Sequence, residues 1–338
     1  MSSAHRNVIV KTSMVPRTWD YVYTPPVRER FERLMGYALA GPPSDDPVAV
    51  ARSLAGAEVI LSTWGGVQID AQVLDDCPHL KLVIHAAGSV KGLVSDALVA
   101  RGVQVSSAVG VNGASVAKFT AGIILCGLKE LHAQNQAVRT FGPEARATGN
   151  MEFGGGYFGH SIGLVGDGRI ARTLLDLLKP FELDIRIASD YFTAQDEAHY
   201  GAKRVSVEEA FSCKVVSLHH ADIPQNWNIA NGKTIALIPA GGTLINTARG
   251  RLIDEAALIE RLRKNDLTAY LDVTHPEPPI VGHPFYTLPN VVLTPHIAGC
   301  AGKETELMGQ FAIDELERYL QGRPLKGLID LATVKDRA

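Results

Sequence analysis

Three residues whose side chains can handle a carboxylate and a proton lie in the last third of the chain: Arg249, Glu277 and His296. Each follows a short apolar run typical of a buried strand, and ligands bind at the carboxyl ends of strands in open parallel sheets. Arg offers a planar fork to a carboxylate, His exchanges a proton near neutral pH, and Glu beside His stabilises the imidazolium. Singly, each is more often an ion pair or a solvated loop residue. Together they supply what reduction of a 2-keto acid requires.

A glycine turn earlier in the chain could hold the cofactor for such a reaction. The pattern G-x-G-x-x-A runs from Gly166 to Ala171, after an apolar strand-like segment and before apolar residues at helical spacing. Gly166 permits a tight turn, and Gly168 lets the backbone approach a diphosphate at the helix start. Asp190 follows the next predicted strand, about 20 residues further on. A carboxylate there accepts hydrogen bonds from the adenosine ribose hydroxyls and repels a 2′-phosphate. This combination favours NAD over NADP, against the alternative of an ordinary glycine-rich turn.

The segments around these residues alternate between strand-like and helix-like patterns, which predicts an α/β protein with parallel sheets. A long helical pattern begins at Ala114, with Ser115 as a start signal, and runs to about Thr140. A final helix is predicted from Lys303 to Leu320. Strands are predicted at 7–10, 57–61, 80–84, 103–105, 161–165, 183–189, 215–218, 242–245, 268–271 and 291–293.

Composition limits the classes of partner. A length of 338 residues suggests two domains. A net charge of −3 gives no reason to expect nucleic acid or an anionic membrane as a partner. The longest apolar run, 119–128, is short for a membrane span, so a cytoplasmic protein is expected. The cysteines have no paired spacing, so neither a disulfide framework nor a metal site is predicted.

The chain resembles the D-isomer-specific 2-hydroxyacid dehydrogenases, from Leu80 to about Gly322. Three motifs carry the resemblance: the glycine turn, Ile245-Asn-Thr-Ala-Arg-Gly250, and Asp272-Val-x-x-x-Glu-Pro278 followed by Thr294-Pro-His-Ile-Ala-Gly299. The resemblance implies two Rossmann-like or flavodoxin-like domains joined by a cleft, assembled as homodimers. The NAD-binding Rossmann domain, 110–298, would be inserted into a discontinuous substrate-binding domain formed by 1–109 and 299–338. The implied reaction is hydride transfer between NAD(H) and a small 2-hydroxy or 2-keto acid.

The resemblance also implies a role for individual residues. Arg249 would bind the substrate carboxylate and carbonyl, His296 would act as the acid and base, and Glu277 would pair with His296. Asp272 would lie near the nicotinamide carboxamide. The remaining cofactor-binding residues would be Gly166, Asp167, Gly168, Arg169, Ile170, Asp190, His219, Thr247 and Ala248. The backbone around Ala87, Gly88 and Ser89 would bind the substrate together with Arg249 and His296.

Departures from the family pattern leave the substrate and some alternatives open. Lys91 replaces an acid after the Ala87–Ser89 loop, and Lys118 replaces a glutamate. Lys91 could admit a more anionic substrate or lie on a solvated loop. Two alternatives remain: an NAD(H)-sensing dimeric regulatory protein of the same fold, and a phosphite-type dehydrogenase. Glu277 argues against a formate dehydrogenase, which lacks this partner of the histidine.

Overall fold

The computed structural model describes residues 8–145 and 155–333, which form two compact units. The first unit comprises residues 1–113 together with 300–338, and the second comprises residues 114–299. The chain leaves the first unit within one long helix and returns to it between Gly299 and Cys300. Each unit is therefore built around its own sheet and its own core.

The first unit contains a parallel sheet of four strands in the order β1-β2-β3-β4. The strands are β1 (Val10–Ser13), β2 (Val59–Ser62), β3 (Leu82–His85) and β4 (Gln104–Ser107). Its helices are α1 (Pro16–Val22), α2 (Pro25–Met35), α3 (Pro47–Ser53), α4 (Ala71–Asp76), α5 (Asp96–Arg101) and α13 (Thr305–Leu320), and α6 (Val109–Leu128) begins in it. The C-terminal segment adds an antiparallel bridge between Ser106 and Leu328.

The second unit contains a parallel sheet of seven strands in the order β11-β10-β9-β8-β5-β6-β7. The strands are β5 (Ser161–Val165), β6 (Asp184–Ala188), β7 (Lys203–Val205), β8 (Val215–Leu218), β9 (Gly242–Asn246), β10 (Leu267–Leu271) and β11 (Val291–Leu293). After the rest of α6 come the helices α7 (Leu131–Phe141), α8 (Arg169–Leu178), α9 (Ala194–Tyr200), α10 (Val207–Phe211), α11 (Gly232–Ile235) and α12 (Glu255–Leu262).

The parallel strands of the second unit place its candidate residues at one end of the sheet, just beyond the carboxyl ends of the strands. Strand β5 lies between β6 and β8, so the direction of strand addition reverses there, and such a switch point is where parallel α/β sheets bind ligands. The central strands β8 and β9 are buried at every residue. Residues just beyond the strands are therefore the ones left to meet a ligand.

Two sequence-based expectations about the elements are wrong, and one strand was missed. The first strand is Val10–Ser13 rather than 7–10, and the edge strand β7 was not predicted. The helix predicted from Ala114 to Thr140 is two helices, α6 and α7. Helix α6 begins earlier because Ser107 Oγ accepts a hydrogen bond from the Val109 amide at 3.1 Å. It ends because Glu130 takes a left-handed conformation, with a φ of 50°.

Helix α6 contains the apolar run 119–128 that the sequence analysis compared with a membrane span. Among the described residues it is the one helix long and apolar enough to cross a membrane by length and composition alone, and a third of its most apolar stretch is buried. Core helices of water-soluble proteins can be equally long and apolar. Ala117, Ile124 and Leu128 of this helix pack in the core of the second unit with Ile162 and Leu164 of β5.

A buried ion pair fixes the break between α6 and α7. Lys214 Nζ lies 2.5 Å from Glu130 Oε1, with side chains only 7% and 5% exposed. We expect Glu130→Gln to lower the free energy of unfolding by about 3–5 kcal/mol, because it leaves a buried ammonium without its partner charge. Replacing both residues, as in Glu130→Leu with Lys214→Met, should cost less than the single change.

Urea denaturation followed by circular dichroism measures these differences. The control is Lys179→Ala, which removes the exposed pair with Asp176 at 2.8 Å and should cost at most about 1 kcal/mol. A Glu130→Gln variant as stable as the control would contradict the importance of the buried pair.

Candidate active site

His296 and Glu277 form a short contact between two candidate side chains. His296 Nδ1 and Glu277 Oε1 are 2.6 Å apart, and both side chains are nearly half exposed. The carboxylate is therefore placed to orient the ring. The opposite nitrogen, Nε2, has no hydrogen-bond partner among the described residues and is left for an incoming group.

Asp272 holds the segment that carries His296. Its buried carboxylate accepts hydrogen bonds from Thr294 Oγ1 at 2.7 Å and from the Ile297 and Ala298 amides at 2.8 and 2.9 Å. The His296 amide donates to the Asp272 carbonyl at 3.0 Å. These four bonds hold His296 at a φ of 56°, a conformation that costs a non-glycine residue about 1 kcal/mol.

Arg249 lies beyond β9, in a turn organised by a fully buried asparagine. Asn246 Nδ2 donates to the Arg249 carbonyl at 2.8 Å, and Asn246 Oδ1 accepts from the Ala248 amide at 3.1 Å. At Gly250, an added Cβ would lie 2.1 Å from the Thr274 carbonyl carbon, so the backbone after β9 packs directly on the backbone after β10. The Arg249 guanidinium donates to the Ala248 carbonyl, and no carboxylate of the described residues pairs with it.

The glycine turn has the shape that a dinucleotide requires. Gly166 has a φ of 104°, and an added Cβ would lie 2.8 Å from the His220 amide nitrogen. At Gly168, the nearest atom to an added Cβ is the His219 carbonyl oxygen at 3.8 Å, so this side of the turn is open. Helix α8 begins at the next residue and directs its free amides toward the turn.

Two side chains near the turn suit the remainder of the cofactor. The Asp190 carboxylate is 99% exposed, and Arg204 Nη2 lies 3.8 Å from it. His219 Nε2 is buried and has no hydrogen-bond partner within the described ranges. Burial lowers the pKa of His219 to about 4, so its ring stays neutral and can serve a polar group of a bound molecule. The residues present therefore fit NAD.

The other predicted cofactor residues also lie beyond the carboxyl ends of the strands. Thr247 is buried, and its hydroxyl is 3.0 Å from the hydroxyl of Thr120 on α6. Arg169 is exposed at the start of α8, and Ile170 packs on the core of the second unit. Asp167 is held by an arginine, Arg172, and is treated below.

In the first unit, the predicted substrate loop is held by side chains from the strand ends beneath it. Thr63 Oγ1 donates to the Ala86 carbonyl at 2.9 Å, and Ser107 Oγ donates to the Gly88 carbonyl at 2.7 Å. Within the described residues, no acceptor contacts the amides of Gly88 and Ser89. A loop is suited to bind an anion when its carbonyls already accept hydrogen bonds and its amides have no acceptor.

His85 stands at the base of this loop and was not predicted from sequence. It ends β3, is almost fully buried, and its Nδ1 lies 2.7 Å from Ser62 Oγ. Desolvation lowers its pKa from 6.5 to about 4, while the Ser89 backbone acts weakly in the opposite direction. Thr120 and His85 were missed because their contacts come from other strands or helices, whereas Asn246 has local contacts and stood within a motif without a role of its own. A polar residue at the end of an apolar run, as at His85 and Asn246, was the sequence signal that could have identified two of these residues.

Comparison with known proteins assigns the family. The sequence model for the NAD binding domain of the D-isomer specific 2-hydroxyacid dehydrogenases matches residues 121–298, more than half of the chain. The chain therefore belongs to this family. The family resemblance and the NAD cofactor inferred from the sequence are both confirmed.

The chain is 26% identical over 271 residues to D-3-phosphoglycerate dehydrogenase of Archaeoglobus fulgidus, covering 79% of this chain and 50% of that protein. It is 28% identical over 276 residues to glyoxylate reductase of Thermofilum pendens, covering 80% of each. It also superposes on the crystal structure of Rhodotorula graminis D-mandelate dehydrogenase with a TM-score of 0.78 and 23% identity, covering 95% of this chain and 97% of that one. The predicted fold class is thus confirmed. The chain spans about half the length of the phosphoglycerate dehydrogenases it matches.

The low pKa of His85 predicts a loss of stability in acid. Above pH 6.5 the residue is neutral whether the chain is folded or unfolded. Below it, the unfolded chain binds a proton that the folded protein does not bind until about pH 4. The stability contribution is therefore present above pH 6.5 and lost as the pH falls toward 4, by about 3 kcal/mol.

Urea denaturation across this pH range measures the loss. His85→Gln should reduce the pH dependence, whereas His79→Gln, at an exposed position, should leave it as in the wild type. The same pH dependence in His85→Gln as in the wild type would contradict the assignment.

Proposed function

We propose that this protein is an NAD-dependent oxidoreductase that interconverts a small 2-hydroxy acid and the corresponding 2-keto acid. The observation that carries the proposal is the 2.6 Å contact between His296 Nδ1 and Glu277 Oε1, because it leaves Nε2 for an acid–base step. Membership of the dehydrogenase family and the open glycine turn support the cofactor.

Each catalytic side chain then has a defined task. Bound NADH supplies the hydride in the reductive direction. His296, protonated and paired with Glu277, donates its Nε2 proton to the keto oxygen as that oxygen gains negative charge. In the oxidative direction, the neutral ring takes the hydroxyl proton. Arg249 binds the substrate carboxylate with its planar fork and stabilises the developing charge on the oxygen.

We also propose how the remaining residues divide between cofactor and substrate. Residues 110–298 would form the NAD-binding domain, with Asp272 near the nicotinamide in addition to its hold on the histidine segment. Residues 1–109 with 299–338 would form the substrate-binding domain. The Gly88 and Ser89 amides, which have no acceptor among the described residues, support carboxylate binding by the Ala87–Ser89 loop.

A homodimer is the proposed assembly. Helix α7 has no buried residue, although apolar side chains lie along it. Leu131, Val138 and Phe141 are each more than half exposed, as expected for a helix that packs on a second copy of the chain. Light scattering should show a dimer for the wild type and a smaller species for Phe141→Glu. A monomeric wild type would contradict the proposal.

The activity itself is tested by following NADH and NADPH oxidation with glyoxylate, hydroxypyruvate, pyruvate, and bulkier or phosphorylated 2-keto acids. We expect turnover with NADH and a preference over NADPH, because the exposed Asp190 carboxylate repels a 2′-phosphate. His296→Ala should lower kcat by about 100- to 10,000-fold. Arg249→Ala should lower kcat and also raise KM, because both carboxylate binding and charge stabilisation are lost.

The control for these variants is His199→Ala, an exposed histidine on α9 that should leave the kinetics unchanged. Normal keto-acid reduction by both active-site variants would show that the assignment is wrong. Tight NADH binding without turnover of any keto acid would instead favour a nucleotide-sensing regulatory protein.

A further inference from the structure

One guanidinium links the two segments that are placed to grip the adenosine half of the cofactor. Arg172, on the first turn of α8, donates from Nη2 to Asp167 Oδ2 at 3.0 Å and from Nε to the Asp167 carbonyl at 3.2 Å. It also donates from Nη1 to Asp196 Oδ1 at 2.6 Å. Asp167 lies between Gly166 and Gly168 of the glycine turn, and Asp196 lies in α9, just after Asp190.

The position of Asp167 is unfavourable for a turn that binds a diphosphate. The free amides at the start of α8 attract an anion, and a bare carboxylate in the same turn would repel it. The Asp167 side chain is only 11% exposed, so solvent screens its charge poorly. The Arg172 guanidinium supplies the compensating charge at hydrogen-bond distance.

The other end of the contact fixes the segment that follows Asp190. Asp196 Oδ2 accepts hydrogen bonds from the Thr193 amide at 2.9 Å and the Thr193 hydroxyl at 2.8 Å, which caps α9. The hydrogen bond from Arg172 holds the pKa of the Asp196 carboxyl well below its usual range, so Asp196 remains charged. The buried ring of Phe192 lies 5.8 Å from the guanidinium carbon and supports it.

We propose that Arg172 is a positioning residue for NAD. It neutralises Asp167 inside the glycine turn. It also links that turn to the segment that begins at Asp190, so that the backbone that binds the diphosphate and the carboxylate that binds the ribose keep a fixed separation. The inference rests on the proposed use of this turn and of Asp190 for NAD, and it adds a specific electrostatic requirement to it.

The test is a double-mutant cycle on the full chain, with the NADH dissociation constant measured by fluorescence titration. Arg172→Ala should weaken NADH binding by about tenfold or more, because the Asp167 charge is left unpaired beside the diphosphate. Asp167→Asn alone should tighten NADH binding, because the Arg172 charge is then left uncompensated beside the diphosphate. In the Asp167→Asn background, Arg172→Ala should weaken binding by no more than about threefold, the part due to the lost tie to Asp196.

The dependence of NADH affinity on ionic strength is a second readout. If Arg172 had a purely structural role, its replacement would not change this dependence. Raising the salt concentration should recover part of the affinity lost in Arg172→Ala, because it screens the repulsion, and should have a smaller effect on the double variant. Lys179→Ala, which removes the exposed ion pair after the last turn of the same helix, is the matched control and should bind NADH like the wild type. Thermal melts without nucleotide identify any variant that is not folded.

If Arg172→Ala does not fold, Arg172→Gln carries the same expectation, since its amide can still donate to Asp196. Equal losses in the two Asp167 backgrounds, or no loss at all, would overturn the proposal while leaving NAD binding by the turn intact. Failure of the wild type to bind NADH would instead refute the proposed function.

Discussion

The Asp272 carboxylate is the constraint on which the candidate active site depends. It is buried beyond β10, and its two oxygens accept three hydrogen bonds from the segment beyond β11. Such charge-assisted bonds in a buried setting are strong, and they offset the strained left-handed backbone of His296. Because Glu277 follows β10 as well, the same pair of strand ends fixes both members of the proposed acid–base pair. Asn246 does comparable work beyond β9, where it holds the turn that precedes Arg249.

Much of this arrangement could be predicted from the sequence, since short apolar runs followed by polar residues mark the carboxyl ends of parallel strands. Arg249, Glu277 and His296 do lie beyond β9, β10 and β11, and Gly166 and Asp190 lie beyond β5 and β6. The supporting contacts were not predictable. Lys214 and Glu130 are 84 positions apart, and their ion pair lies where a continuous helical pattern breaks into two helices. The exposed strand β7 was missed for a different reason, because it lacks an apolar run.

Both sheets carry polar side chains near their strand ends that are buried or paired with an opposite charge. The sequence patterns show only small residues and loops at these places. In the first unit, Ser107 donates to the Gly88 carbonyl of the predicted substrate loop, and Ser62 and His85 contact each other beneath that loop. In the second unit, Arg172 compensates an aspartate inside the glycine turn. Under the proposed function, the backbone amides of the Ala87–Ser89 loop and of the glycine turn remain available for an anion.

The most direct measurement is the rate of hydride transfer in a single turnover, with NADH-loaded Asp272→Asn mixed with the best 2-keto acid substrate. The amide cannot accept the same three hydrogen bonds, so His296 should shift from its position and the rate should fall on the order of 100-fold. NADH affinity should change by only a few fold, and Thr294→Val should show a smaller loss of rate in the same direction. A wild-type rate in Asp272→Asn would contradict the view that this carboxylate positions the acid–base histidine.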